Sequence, residues 1–377
     1  MSTKNLIYNK TLKRVAATLV CSIALVLCYV PFSHAATQPK IRLYDGWTEL
    51  MYAAWRGQPA IVNSLLKKSH HINAADEDGR TALIYAAWSG HSKILRTLLR
   101  AGAAINQQDA AGLSALAWAA RQGQRDALQL LISSGGQINS QDEKGFTSLT
   151  WATYMQRPAT VRLLLENGAN PDVKTNTGAT TLSIAASLDY HQIAQLLLKY
   201  KAAVNSADKH RHSVLWHAAN NGNLSTVKLL VKKGADINST DSHGQTPLMR
   251  AIRGDFQQIA SGLIKNGAET QHVSDRGNSA SHFAAMRGNY SILESLLKTG
   301  VPVDTANKTG NTPLQLAVKN GFRKTTELLL RNNADITHAN LLGETAIDIA
   351  TGEDNKPIIS LIQVYAESSG LLDRLLN

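Results

Sequence analysis

Asp76-Glu77-Asp78-Gly79-Arg80-Thr81-Ala82-Leu83-Ile84-Tyr85-Ala86-Ala87-Trp88-Ser89-Gly90 runs on into His91-Ser92-Lys93-Ile94-Leu95-Arg96-Thr97-Leu98-Leu99-Arg100-Ala101-Gly102-Ala103. This stretch is one copy of a unit that recurs along almost the whole chain. Its turn glycine returns every 33 residues, at Gly46, Gly79, Gly112, Gly145, Gly178, Gly244, Gly277, Gly310 and Gly343, and only Arg211 breaks the series. An alanine keeps the same step at Ala53, Ala86, Ala119, Ala152, Ala185, Ala218, Ala251, Ala284, Ala317 and Ala350. A period of this length specifies a stack of small like units rather than one globular core.

The chemistry of each unit predicts its parts. Asp76 and Gly79 suit a tight turn, because the Asp side chain bonds nearby backbone and Gly accepts positive φ. Thr81 is placed to N-cap a short helix. Pro247 and Pro313 occupy the following position, where proline is favoured. Gly90 breaks this first helix. A second helix carries a Leu pair, as in Leu98-Leu99, Leu164-Leu165 and Leu329-Leu330. Gly102, Gly168, Gly234 and Gly267 end it in the left-handed conformation. The small recurrent alanine lets neighbouring first helices approach closely.

With Thr246-Pro247-Leu248-Met249-Arg250-Ala251 and Thr312-Pro313-Leu314-Gln315-Leu316-Ala317, the chain resembles the ankyrin repeat family. The resemblance implies an all-α solenoid of about ten 33-residue helix-turn-helix units, covering residues 44–366. One position departs from the family. Three residues after the Thr, where the family usually has His, stand Met51, Ile84, Ala117, Thr150, Ser183, Trp216, Met249, Gln315 or Asp348, and only His282 matches. The hydrogen bonding which that His supplies is therefore expected to be mostly missing.

The N-terminus is a different kind of sequence. Lys4, Lys10, Lys13 and Arg14 precede an apolar run over residues 15–30, and Ser33-His34-Ala35-Ala36 follows. A basic start, a short apolar middle and small residues at a cut site make a secretory signal peptide. Residues 1–35 are read as that leader, 36–43 as a lead-in and 367–377 as a tail expected to form a short helix. The 16-residue run is shorter than the roughly 20 that a spanning helix needs. An uncleaved anchor is the alternative, and only then would the chain be held to a membrane. Both cysteines, Cys21 and Cys28, lie in the leader, so the mature chain has no thiol chemistry. An exported protein is expected, with the periplasm as its location and secretion as the alternative.

The formal charge of +11 falls to +7 once the leader, with four basic and no acidic residues, is removed. That mild excess steers weakly toward acidic partners. Nucleic acid is not indicated, since no dense Lys/Arg block occurs among the repeats. No nucleophile motif or phosphate-binding loop is present. Neither enzymatic activity nor a cofactor is expected, and the chain is expected to be a monomer. His210, His212 and His243 share the turns of repeats six and seven, and two or three imidazoles suit zinc, copper or nickel. No Cys or evident carboxylate completes a tetrahedron there, so no metal is assigned.

Aromatic residues carry the strongest functional signal. Five of the six Trp residues fall in repeats one to four. Trp55, Trp88, Arg121 and Tyr154 follow the alanine pair. Trp47, Arg80 and Phe146 follow the turn glycine. The family resemblance implies that these two columns face the groove and finger surface that bind partners. The column before the alanine, with Tyr52, Tyr85, Trp118 and Trp151, is expected to fill inner-helix packing. Trp47, Trp55, Trp88, Phe146 and Tyr154, with Arg56, Arg80 and Arg121, are thus read as an exposed strip. Trp, Tyr and Arg dominate binding hot spots. A non-catalytic module binding a protein or extended peptide is the resulting expectation. A small-ligand or glycan binder on the same strip and a secreted effector acting on a host protein are the alternatives.

Overall fold

The computed structural model describes residues 46–68 and 71–368. The expected leader, the lead-in and the tail from residue 369 lie outside the described residues. Among the described residues twenty helices follow one another in ten pairs, beginning with α1 (Glu49–Trp55) and α2 (Pro59–Lys68) and ending with α19 (Ala346–Gly352) and α20 (Lys356–Ser368). Among the described residues there is no strand; isolated bridges such as Ala75 with Thr81 close some of the turns. The chain is the all-α solenoid that its period predicts.

First helices start on side-chain caps. Thr81 Oγ1 accepts the Ile84 N–H and Thr246 Oγ1 accepts the Met249 N–H, both at 3.3 Å. Pro247 and Pro313 stand at the next position, where a missing N–H costs nothing. Gly90, Gly123 and Gly288 stop three of these helices in the left-handed conformation. First helices pack on first helices and second on second, so the main contacts join adjacent units. All ten recurrent alanines sit in this seam, at most 1% exposed.

Two hydrogen-bond ladders tie the units along the stack. One joins turn to turn: the Ala110 N–H donates to the Asp78 carbonyl at 2.8 Å, and the pattern continues to Leu341 and Thr309 at 3.2 Å. The turns touch so closely that a Cβ on Gly79 would lie 2.8 Å from the Ala110 nitrogen, and Gly79 itself has φ +74°. Arg211, the residue that interrupts the glycine series, takes φ +61°. The turn keeps its shape there despite a side chain that the left-handed region disfavours.

The second ladder uses side chains. The Ala104 N–H donates to Asn73 Oδ1 at 2.8 Å, and Asn106, Asn139, Asp172, Asn205, Asn238 and Asp304 accept from the next repeat in the same way. This column has the 33-residue step, but the sequence reading did not single it out. Its break is instructive. Gln271 takes the acceptor position opposite Pro302, which has no N–H to donate.

Candidate functional site

The aromatic residues of repeats one to four form a ladder, which Arg121 bridges between repeats three and four and which turn aspartates hold in repeats two to four. Asp109 Oδ1 accepts the N–H groups of Ala111 and Leu113, which orients the carboxylate. Its other oxygen accepts Trp118 Nε1–H at 2.7 Å. Asp142 holds Trp151 in the same way at 2.8 Å, and Asp76 takes the Tyr85 hydroxyl at 2.5 Å. The spacing is nine residues each time, so in repeats two to four the turn carboxylate meets the residue before the recurrent alanine. Burial, followed by the hydrogen bond to Asp76, pushes the Tyr85 phenol well above its ordinary value. Tyr85, Trp118 and Trp151 are buried, as expected for that column, whereas Tyr52 is partly open.

The predicted strip packs on this buried row. Trp47 lies 4.3 Å from Tyr85 and 5.8 Å from Trp55, centroid to centroid. Trp88 stacks on Trp118 at 4.3 Å, with planes 9° apart. Phe146 and Tyr154 flank Trp151 at 5.1 and 6.1 Å. Arginines fill the gaps between rings. Arg80 lies 5.4 Å from the centroids of both Trp88 and Trp118. Arg121 lies 4.9 Å from Trp118 and 4.6 Å from Trp151, so one guanidinium joins repeats three and four. Arg56 lies 5.7 Å from Trp55. Arg80 also pairs with Asp78 at 2.7 Å and approaches the buried Asp109 to 3.8 Å.

The expectation of an exposed strip needs correction. Trp47, Trp55, Trp88, Phe146 and Tyr154 are all partly buried and pack against the core, and Arg80 and Arg121 are partly buried with them. Only Arg56 of the eight residues is exposed. The physical cause is the stacking of units: an indole is wide enough to lean across the seam onto the next repeat's ring. The eight residues thus pack on one another and on the core, rather than standing as a set of independent projections.

The histidines of repeat six are arranged differently from the prediction. His210 and His243 are exposed, and His243 meets Ser242 Oγ at 3.4 Å. His212 turns inward instead. Its Nδ1 lies 3.0 Å from Asp208 Oδ2, and its ring stacks on Trp216 at 3.7 Å. His217 Nε2 reaches the same carboxylate oxygen at 3.2 Å. The grouping is therefore Asp208, His212 and His217, in place of His210, His212 and His243. The missed signal was the nine-residue spacing, since His217 stands to Asp208 as Trp118 stands to Asp109. Burial works against ionisation of Asp208, but hydrogen bonds from His217 and the His212 backbone, with the two imidazoles nearby, hold its carboxyl below the usual range. Burial pushes His212 down, outweighing the pull of Asp208.

The hydrogen bonds expected to be missing with the family histidine are partly replaced. His282 Nδ1 accepts the Ser279 N–H at 3.1 Å, which leaves Nε2 to donate to the Asn311 carbonyl of the next repeat at 3.1 Å. Gln315 does the same work: it accepts the Thr312 N–H at 2.9 Å and donates to the Glu344 carbonyl at 2.8 Å. Trp216 also crosses the seam, donating from Nε1 to Asp241 at 3.1 Å. Leu341 and Leu342, which no periodic signal marks, are 77% and 82% exposed at the turn of repeat ten. Glu77, Lys209, Asp275 and Lys308 hold the position of Leu341 in other repeats, so its exposure breaks a largely polar column.

A family model described as ankyrin repeats (3 copies) matches residues 15–109, 94–175, 116–208, 182–274, 262–340 and 281–367. The chain belongs to the ankyrin repeat family. The search of curated proteins gives no match. Ankyrin repeats are generally protein–protein interaction modules, and proteins built from them are typically non-enzymatic scaffolds.

Proposed function

We propose that this is an exported, monomeric, non-catalytic binding protein that holds a protein or extended peptide along repeats one to four. The observation that carries the reading is the aromatic–arginine ladder. Its rings and guanidiniums are fixed by mutual packing before any partner arrives, so little side-chain freedom is lost on binding. Trp, Tyr and Arg are the residue types that dominate hot spots. Export rests on the basic and apolar leader over residues 1–35. An extended partner is favoured because the ladder runs along the stack. A groove lined by Leu224, Val227, Ile259 and Leu263 lies on the second helices of repeats six and seven, away from the ladder.

The test begins with affinity capture from a periplasmic extract, followed by affinity measurements on what is retained. Arg56→Ala changes an exposed side chain over Trp55 and should leave the melting temperature unchanged. It should still weaken binding by about 1 kcal/mol or more, the threshold that separates energetically important contacts from neutral ones. Trp88→Ala should weaken binding by about 2 kcal/mol or more, with its effect on folding read separately by thermal melting. Lys319, the exposed occupant of the Trp88 column in repeat nine, is the control. Loss of binding in Lys319→Ala, with both ladder variants binding as wild type, would place the surface in the C-terminal half.

A further inference from the structure

Repeat six departs from the other repeats at three linked positions. Arg211 stands where the others have the turn glycine. His212 follows it, where Trp47, Arg80, Leu113, Phe146, Ala179, Gln245, Asn278, Asn311 and Glu344 stand elsewhere. His217 replaces the residue before the alanine. One imidazole opposite the turn aspartate is explained by the pattern of Tyr85, Trp118 and Trp151. A second imidazole on the same carboxylate oxygen is not.

The geometry of the three side chains is that of a preformed ligand set. Asp208 Oδ1 is occupied by the N–H groups of His210 and His212, both at 2.9 Å. That fixes the carboxylate and aims Oδ2 at the two rings, 3.0 Å from His212 Nδ1 and 3.2 Å from His217 Nε2. The three ligand atoms all lie within 4.8 Å of one another. In a tetrahedral zinc site with bonds of about 2.0–2.2 Å, neighbouring ligand atoms sit about 3.3–3.6 Å apart. Small side-chain rotations would open the observed spacing to that value. The stack of His212 on Trp216, 3.7 Å apart with planes at 23°, holds one ring in place. The side chains are 9–21% exposed, enough for an ion to enter from solvent.

We propose that Asp208, His212 and His217 bind one divalent transition-metal ion, zinc by preference, with water at the fourth position. Two imidazoles and one carboxylate suit zinc and its borderline neighbours. They do not suit calcium or magnesium, which take oxygen ligands. The backbone donors on Oδ1 supply the outer shell that orients a ligating carboxylate. Bound there, the ion would cross-link the turn of repeat six to its own first helix, since His217 lies on the helix Val214–Asn220.

Titration calorimetry of the chelator-stripped protein with zinc tests the proposal. One saturable equivalent per chain is expected, with a raised melting temperature in the presence of zinc. His212→Gln and His217→Gln should each weaken binding by more than the about 10–100-fold that loss of an outer-shell partner costs. His243→Ala should leave it unchanged, because His243 lies outside the cluster. Melting of each variant without zinc separates loss of ligation from loss of fold, and His212→Gln suffices alone if His217→Gln does not fold. No saturable heat at one equivalent would overturn the site. Zinc binding that survives both glutamine variants, or that disappears in His243→Ala, would do so equally.

Discussion

Repeats one to four and repeats seven to ten share one backbone and differ in what crosses the seams between units. In the N-terminal group the column before the alanine is Tyr52, Tyr85, Trp118 and Trp151; in the C-terminal group it is Arg250, Phe283, Leu316 and Ile349. The first group interlocks through stacked rings, sandwiched arginines and turn carboxylates. The second uses His282 and Gln315 to reach from the cap of one helix to the next repeat's turn. Both groups keep the turn-to-turn backbone bonds and the buried alanine. The backbone ladder and the alanine seam therefore set the stack. The columns around them are free to become either a binding face or a plain structural joint.

The largest expected break in this comparison is Trp118→Ala. Trp118 is 5% exposed, stacks on Trp88 and satisfies the buried Asp109. Its loss should cost about 3–5 kcal/mol, as for other buried Trp truncations. Leu316→Ala, the matched change in repeat nine, should cost less, at about 2–3 kcal/mol, because it strands no carboxylate. Urea denaturation of both variants decides it. Equal costs would mean that the N-terminal ladder adds nothing to the joint.

Acid should act on the other group. Burial holds His282 near 4, against 6.5 for an ordinary imidazole, despite the backbone hydrogen bond to Asn311. A pKa lowered by folding means that the unfolded chain takes up the proton first. The stability from neutral His282 is therefore complete above about pH 6.5 and is lost as pH falls from there toward 4. The full amount is on the order of 3 kcal/mol. His282→Gln should fold at pH 7, since Gln315 makes the same pair of bonds, and should lose that part of the pH dependence. Hydrogen exchange at pH 5 and 7 would locate the effect, and an acid response unchanged by His282→Gln would refute it.

The smallest expected effect sharpens the role of the turn. Arg211 sits at φ +61°, where an L-residue is strained by about 1–2 kcal/mol. Glycine removes the strain but adds freedom to the unfolded chain, worth roughly 0.5–1 kcal/mol. Arg211→Gly should therefore raise stability by about 0.5–1 kcal/mol. Gly178→Ala, with φ +85° and a Cβ that would lie 2.8 Å from the Lys209 nitrogen, should lower it. Thermal melting of the pair reads both signs, and a destabilised Arg211→Gly would show that the arginine side chain stabilises the turn through contacts such as Thr240.

How much was legible differs between fold and site. Thr81, Gly90, Pro247 and Ala185 could be assigned from the sequence because their roles are local or repeat with the period. That the aromatic residues from Trp47 to Tyr154 gather in neighbouring repeats could also be read by aligning columns. Their half-buried state could not, because it depends on how far a ring in one repeat leans over the next. Asp208 and His217 were overlooked for a related reason. They are nine residues apart in the chain, and only the folding of turn onto helix brings them to one oxygen.

The sequence by itself determined the stack: a 33-residue period, small residues at the seam and turn formers in step leave a chain few other ways to bury its leucines. Which rings meet, which arginines lie between them and which histidines face Asp208 were settled only by the packing of turn on helix and unit on unit. Those outcomes depend on side-chain direction across neighbouring units, where a difference of a few ångströms separates an exposed hand-hold from a packed joint.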